Sequence, residues 1–152
     1  MSPTPAGTPV PRILASAGGD MGERLRSLDW STTSFGTPDK WPSALRLALG
    51  LCLNTSIPTA IYWGPDLALL YNDAWAPIAG EKHPWALGRK ASEVWADIWE
   101  IIEPQLTQVM ETGEGFSVAD QMLPMRRGGR VQRTHWDYSF SPIFDEAGEK
   151  VL

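Results

Sequence analysis

Apolar and polar residues alternate along this chain with two distinct periods, and the change of period marks the elements. Leu45, Ala48, Leu49, Cys52 and Leu53 recur at helical spacing. They predict a helix from Pro42 to Asn54, with the proline in its first turn and Ser56 and Pro58 closing it off. Two short apolar runs follow, Thr59 to Trp63 and Leu67 to Tyr71, separated by Gly64-Pro65-Asp66. Those three residues favour a turn, so the runs predict an antiparallel hairpin. Asn72 and Asp73 can cap a short helix through Ala74, Trp75 and Ala76, which Pro77 keeps short because it has no N–H for the helical ladder.

From Ala91 the helical period returns in Trp95, Ile98, Trp99, Ile102, Leu106, Val109 and Met110. Pro104 is expected to divide this stripe into a short helix and a longer one that stops at Gly113. Two further strands are predicted, Phe116 to Met125 and Arg133 to Ile143, joined by the turn Arg127-Gly128-Gly129-Arg130. In the second, Thr134, Trp136, Tyr138 and Phe140 share one face, and Arg133, His135, Asp137 and Ser139 the other. Asp145-Glu146-Ala147-Gly148 has turn composition, and Val151-Leu152 has that of a fifth strand as it begins.

Upstream, residues 1–19 are rich in Pro, Gly, Ser, Thr and Ala and are expected to form a flexible leader. A short helix from Met21 to Leu28 and a loop from Asp29 to Asp39 complete an N-terminal helical cap over residues 20–56. Residues 57–152 then form the core, whose fifth strand is incomplete. Strands at both ends of this core with helices between them define an α+β domain, an antiparallel sheet covered on one face by short helices.

The chain has 152 residues, a length that suits one domain. A net charge of −5 argues against a general nucleic-acid binder, which needs a positive field. The single cysteine excludes an internal disulfide and favours a reducing compartment, the cytoplasm. Within its apolar run Cys52 is expected to be a buried, inert thiol. No apolar run approaches the roughly 20 residues of a membrane span, so no membrane insertion is expected. Eight tryptophans, against three tyrosines and four phenylalanines, imply a thick aromatic core or an aromatic-lined pocket.

Three segments carry a family resemblance. They are Trp63-Gly64-Pro65-Asp66-Leu67 through Leu70-Tyr71-Asn72-Asp73-Ala74-Trp75, then Lys82-His83-Pro84-Trp85-Ala86-Leu87-Gly88-Arg89, and Tyr138-Ser139-Phe140-Ser141-Pro142-Ile143. In these the chain resembles PAS domains, and in particular the N-terminal sensor PAS domains of bacterial sensor histidine kinases. The resemblance implies a five-stranded antiparallel sheet cupping a set of helices, with the fifth strand central, beside the first and fourth. It further implies a non-catalytic sensing or relay role, homodimerisation, and output through a downstream kinase or other effector domain. With only Val151-Leu152 of the central strand present, a shortened chain is expected.

The aromatic residues are the candidate site. Trp136, Tyr138 and Phe140 are expected to face the helices, Trp75, Trp95 and Trp99 to complete the wall, and Tyr71 and Asn72 to supply polar tips. Such a wall suits a small apolar or aromatic ligand. The competing account is that the rings simply fill the core of a structural dimerisation module. Haem is not expected, since the segment from Glu103 to Thr112 holds no histidine, and neither is a flavin photosensor, since the Asn-Cys-Arg motif is missing. Arg126, Arg127, Arg130 and Arg133 are expected to be a solvated hairpin tip. No phosphate loop, zinc-protease motif or Gly-x-Ser-x-Gly motif occurs. An isomerase-like enzyme using His135 and Asp137 requires that pair to lie inside a cleft.

Overall fold

A computed structural model describes residues 18–145 and 147–148. Its elements run α1 Gly19–Ser27, α2 Ser43–Asn54, β1 Ala60–Trp63, β2 Ala68–Tyr71, α3 Ala76–Ala79, α4 Ala91–Val94, α5 Trp99–Thr112, β3 Phe116–Arg127 and β4 Arg130–Phe140. This is the α+β class expected. The expected flexible leader lies almost wholly outside the described residues, and so does the expected strand at Val151-Leu152.

The single sheet is not present among the described residues. Instead, β1 pairs only with β2 and β3 only with β4, giving two separate antiparallel hairpins. The strand expected between β1 and β4 falls outside the description; among the described residues, side chains connect the hairpins. Tyr62 of β1 meets Phe140 of β4 edge-to-face, their ring centroids 5.8 Å apart. The far edge of β2 is covered by the backbone of residues 88–91, where Leu69 donates to the Arg89 carbonyl (2.9 Å) and Gly88 to the Leu69 carbonyl (2.7 Å).

Both hairpin turns follow from local chemistry. Leu67 donates back to the Gly64 carbonyl at 3.0 Å, and Gly64 takes a φ of 74° that a side chain would resist. Gly128 and Gly129, at φ 60° and 77°, form the two-residue loop between the paired Arg127 and Arg130. Positive φ at both positions matches the right-handed strand twist. In α2, Pro42 sits one position earlier than expected, as the N-cap, and Leu45, Leu49 and Cys52 form the buried face.

The helical stripe after Ala91 is divided elsewhere than expected. The break falls between Val94 and Trp99, where Trp95 and Ile98 leave helical geometry, and α5 continues through Pro104. Pro104 is the sixth residue of a 14-residue helix, so the cost is local: one missing ladder bond and a crowded Glu100 carbonyl. Gly113 ends α5 in the left-handed region (φ 70°), donating to the Val109 carbonyl at 2.9 Å.

Cap and core bury their apolar residues together. Met21 and Leu25 of α1 and Leu45 and Leu49 of α2 belong to one cluster with Leu69, Leu70, Tyr71 and Leu106. The segment from Asp29 to Asp39, expected as plain loop, contains two short 3-10 turns. It also carries Trp30 and Phe35, which pack with Trp41 at 4.7–6.1 Å.

Asn72, buried at the end of β2, ties these parts together. Its Oδ1 accepts from the Thr59 N–H (3.1 Å) and the Trp75 N–H (3.0 Å). Its Nδ2 donates to the carbonyls of Cys52 and Ile57, both at 2.9 Å. One side chain thus joins the end of α2, the start of β1 and the turn leading into α3. Beside it, Asp73 Oδ1 accepts the Met21 N–H at 2.9 Å, supplying α1 with the cap that Gly18 lacks. Replacing Asn72 with Ala removes the partner of the Cys52 carbonyl and of the Thr59 N–H, while the Trp75 N–H keeps the Asn72 carbonyl and the Ile57 carbonyl keeps the Thr59 hydroxyl. The change should cost about 3 kcal/mol by urea denaturation. Asn54→Ala, at an exposed position, should cost under about 1 kcal/mol.

Candidate functional site

The β4 alternation works as expected. Thr134, Trp136, Tyr138 and Phe140 are half-buried, while Arg133, His135, Asp137 and Ser139 are exposed. The ring-bearing side faces α5 and β1: the Tyr138 hydroxyl donates to Gln105 Oε1 of α5 at 2.6 Å, and Phe140 meets Tyr62. Trp136 stacks under the Arg127 guanidinium at 5.6 Å, and its Nε1 donates to Thr134 Oγ1 at 2.7 Å.

Among the expected wall residues, Tyr71, Trp75 and Trp95 form a buried series. Tyr71 meets Trp75 at 4.8 Å, and Trp75 meets Trp95 edge-on at 5.9 Å. The Trp95 Nε1 then donates to the Tyr62 hydroxyl at 2.9 Å. Through Tyr62 the series reaches Phe140, and from there Tyr138 at 5.3 Å. Six aromatic side chains therefore connect the interior of the β1–β2 hairpin to the β3–β4 hairpin. Trp99, at the start of α5, is half-buried against the same core but has no ring partner in the series.

The two polar tips differ from expectation. Asn72 is saturated by backbone partners and has no hydrogen-bonding capacity left for a ligand. The Tyr71 hydroxyl shares a 2.7 Å hydrogen bond with His83 Nδ1, and His83 Nε2 lies 3.6 Å from Asp20 of α1. The polar groups among the half-buried rings are instead Gln105 and Gln121, whose side-chain amides lie 3.4 Å apart, together with the Tyr138 hydroxyl. Gln105 lies three residues after Ile102, on the helical period, and its spacing rather than its polarity was the signal. Tyr62 shares its strand with another buried residue, Ile61, so simple alternation could not single it out.

An open, shallow depression of about 540 Å³ is lined by Ser117, Val118, Ala119, Asp137, Tyr138 and Ser139. Of the eight expected site residues, only Tyr138 borders it. His135 is 54 % exposed and lies 3.2 Å from Asp120, not enclosed with Asp137. The acid–base cleft needed by an isomerase is thus not formed around this pair. Cys52 is buried, and desolvation pushes its thiol up to about 12, as an inert core residue requires. Arg126, Arg130 and Arg133 are exposed as expected, but Arg127 is half-buried. Its guanidinium donates to the Ile78 carbonyl at 2.6 Å and pins the hairpin to α3. Among the described residues no helix is long and apolar enough to cross a membrane.

A model described as the PAS fold matches residues 53–152, so the chain belongs to the PAS-fold family. It is a signal-sensing domain in the general sense of that family. No curated protein matches the chain.

Burial pushes the Tyr62 and Tyr71 hydroxyls up to about 12 and raises that of Tyr138. The folded state thus holds these protons more tightly than the unfolded chain, whose tyrosines ionise near pH 10. Stability should be fully present below about pH 10 and fall as pH rises toward 12. Phenolate absorbance followed alongside circular dichroism should show ionisation and unfolding together in that window. Tyrosines that all titrate near pH 10 in a folded protein would contradict their burial.

Proposed function

We propose that this domain is the cytoplasmic input module of a bacterial signal-transduction protein, of the sensor histidine kinase kind. It acts as a homodimer and passes its state to a downstream effector rather than catalysing a reaction itself. The observation carrying this proposal is the unbroken aromatic series from Tyr71 to Tyr138, which couples the first hairpin to the last. Close-packed interiors have few intermediate arrangements, so a change at one ring is passed on to its neighbours.

The signal proposed is a small apolar or aromatic molecule seated beside the half-buried rings of Trp136, Tyr138 and Phe140, with Gln105 and Gln121 as its polar contacts. A second account, a structural dimerisation module with a filled core, draws support from the direct contacts of Tyr71, Trp75 and Trp95 with one another. Thermal shift against a library of small aromatic and apolar metabolites separates the two. A ligand at a hundred times its Kd adds about 2.7 kcal/mol, a rise of at least about 5 °C in Tm. Gln105→Leu should abolish that shift and leave the fold intact. No shift from any compound, with no small molecule carried through purification by native mass spectrometry, would leave the filled-core account standing.

A further inference from the structure

The outward face of the β3–β4 hairpin carries an ordered charge pattern that its core-facing side does not explain. Cross-strand pairing sets Met122 beside His135, Pro124 beside Arg133 and Arg126 beside Val131 on this face. Val131 is 60 % exposed and Met122 36 %. Toward the turn the face is basic, with Arg126 and Arg133 exposed. Toward the other end it is acidic, with Asp137 and Asp120. A bulge between Val118 and Gln121 turns Asp120 outward, at φ 53°, and the Asp120 N–H donates to Asp137 Oδ1 at 2.7 Å.

We propose that this face is a docking surface for a second copy of the same chain; the proposal rests on the homodimer inferred above and assigns its interface. The charge pattern selects the partner. A symmetric pair has a twofold axis, so each copy offers the same patch to the other. With the axis lying in the interface and crossing the strands at the Met122–His135 pair, residues equally spaced on either side come together. Arg133 and Asp137 are each two residues from His135 on β4. The axis therefore sets Arg133 of one copy over Asp137 of the other, twice, with Met122 against Met122 and His135 against His135 at the centre. A chain of net charge −5 would otherwise repel its own copy, and this face supplies opposite charge where the contact needs it. A two-stranded face is smaller than the roughly 800 Å² per partner of a long-lived complex, so association is weak, on the order of 100 μM, and weakens as salt rises.

Sedimentation velocity on the full 152-residue chain tests this with two charge reversals. Arg133→Asp places acid against acid in its homodimer, and Asp137→Arg places base against base. Each alone should weaken self-association at least tenfold while circular dichroism stays unchanged. Mixed one to one, the two variants should form a heterodimer at least as tight as the parent, because both contacts then pair opposite charges. A parent dimer that survives both reversals, or a mixture that stays monomeric, overturns the assigned face but leaves dimerisation standing. Dissociation by Leu47→Ser with Leu51→Ser, on the exposed ridge of α2, would likewise move the interface there. A parent that is monomeric up to millimolar concentration overturns both this assignment and the homodimer.

Discussion

A primary amide sealed away from water must find every partner inside the protein, and the geometry of Asn72 is the constraint on which the rest of this fold depends. Its two ends hold the exit of α2, the entry to β1 and the turn after β2 in one arrangement. An unpaired buried polar group costs as much as several good contacts supply, so these segments cannot drift apart individually. Asp73, the next residue, extends the constraint to α1 by capping its first turn from 52 positions away. Gly19 accommodates this approach because it has no Cβ; one placed there would lie 2.4 Å from Asp73 Oδ2. The Asn72-Asp73 pair thus positions the N-terminal helix, the second helix and the first hairpin relative to one another.

On that frame the aromatic residues form a connected path rather than an open chamber. Ring contacts below 6 Å link Tyr71 to Trp75, Trp75 to Trp95, Tyr62 to Phe140 and Phe140 to Tyr138, and one indole–phenol hydrogen bond closes the gap between Trp95 and Tyr62. The half-buried portion of the path lies between α5 and β4, where Gln105 and Gln121 bring polar groups among the rings. The fully buried portion lies under the first hairpin. Charged side chains reinforce this join at its edge. Asp97 accepts from Lys82 at 2.6 Å and from the Arg126 N–H at 2.8 Å, and Arg127 reaches the Ile78 carbonyl.

Much of this was legible from sequence because the determining physics is local. The Gly128-Gly129 turn, the period of α2 and the alternation of Trp136, Tyr138 and Phe140 each depend on neighbours a few residues apart. What sequence concealed depends on distant partners. Asn72 looks like a ligand-facing amide until Cys52 and Thr59 are placed around it. Trp95 lies on the helical period, yet its backbone leaves the helix there, and its indole is bound to Tyr62, 33 positions away. Pro104 carries a strong breaking signal, but packing of Ile102 and Leu106 on either side holds the helix through it. The single expected sheet depended on Val151-Leu152, which lie outside the described residues. The Trp30, Phe35 and Trp41 cluster was hidden because polar residues separate its members and no short period links them.

Native-state hydrogen exchange tests the role of Asn72 most directly. The amide of Thr59, bound to its side-chain oxygen at 3.1 Å, lies outside regular strand and helix pairing and would otherwise exchange early. If Asn72 organises the fold, this amide exchanges only through global unfolding, together with the amides of β2. Exchange of Thr59 at the rate of open turns, while β2 stays protected, would contradict it.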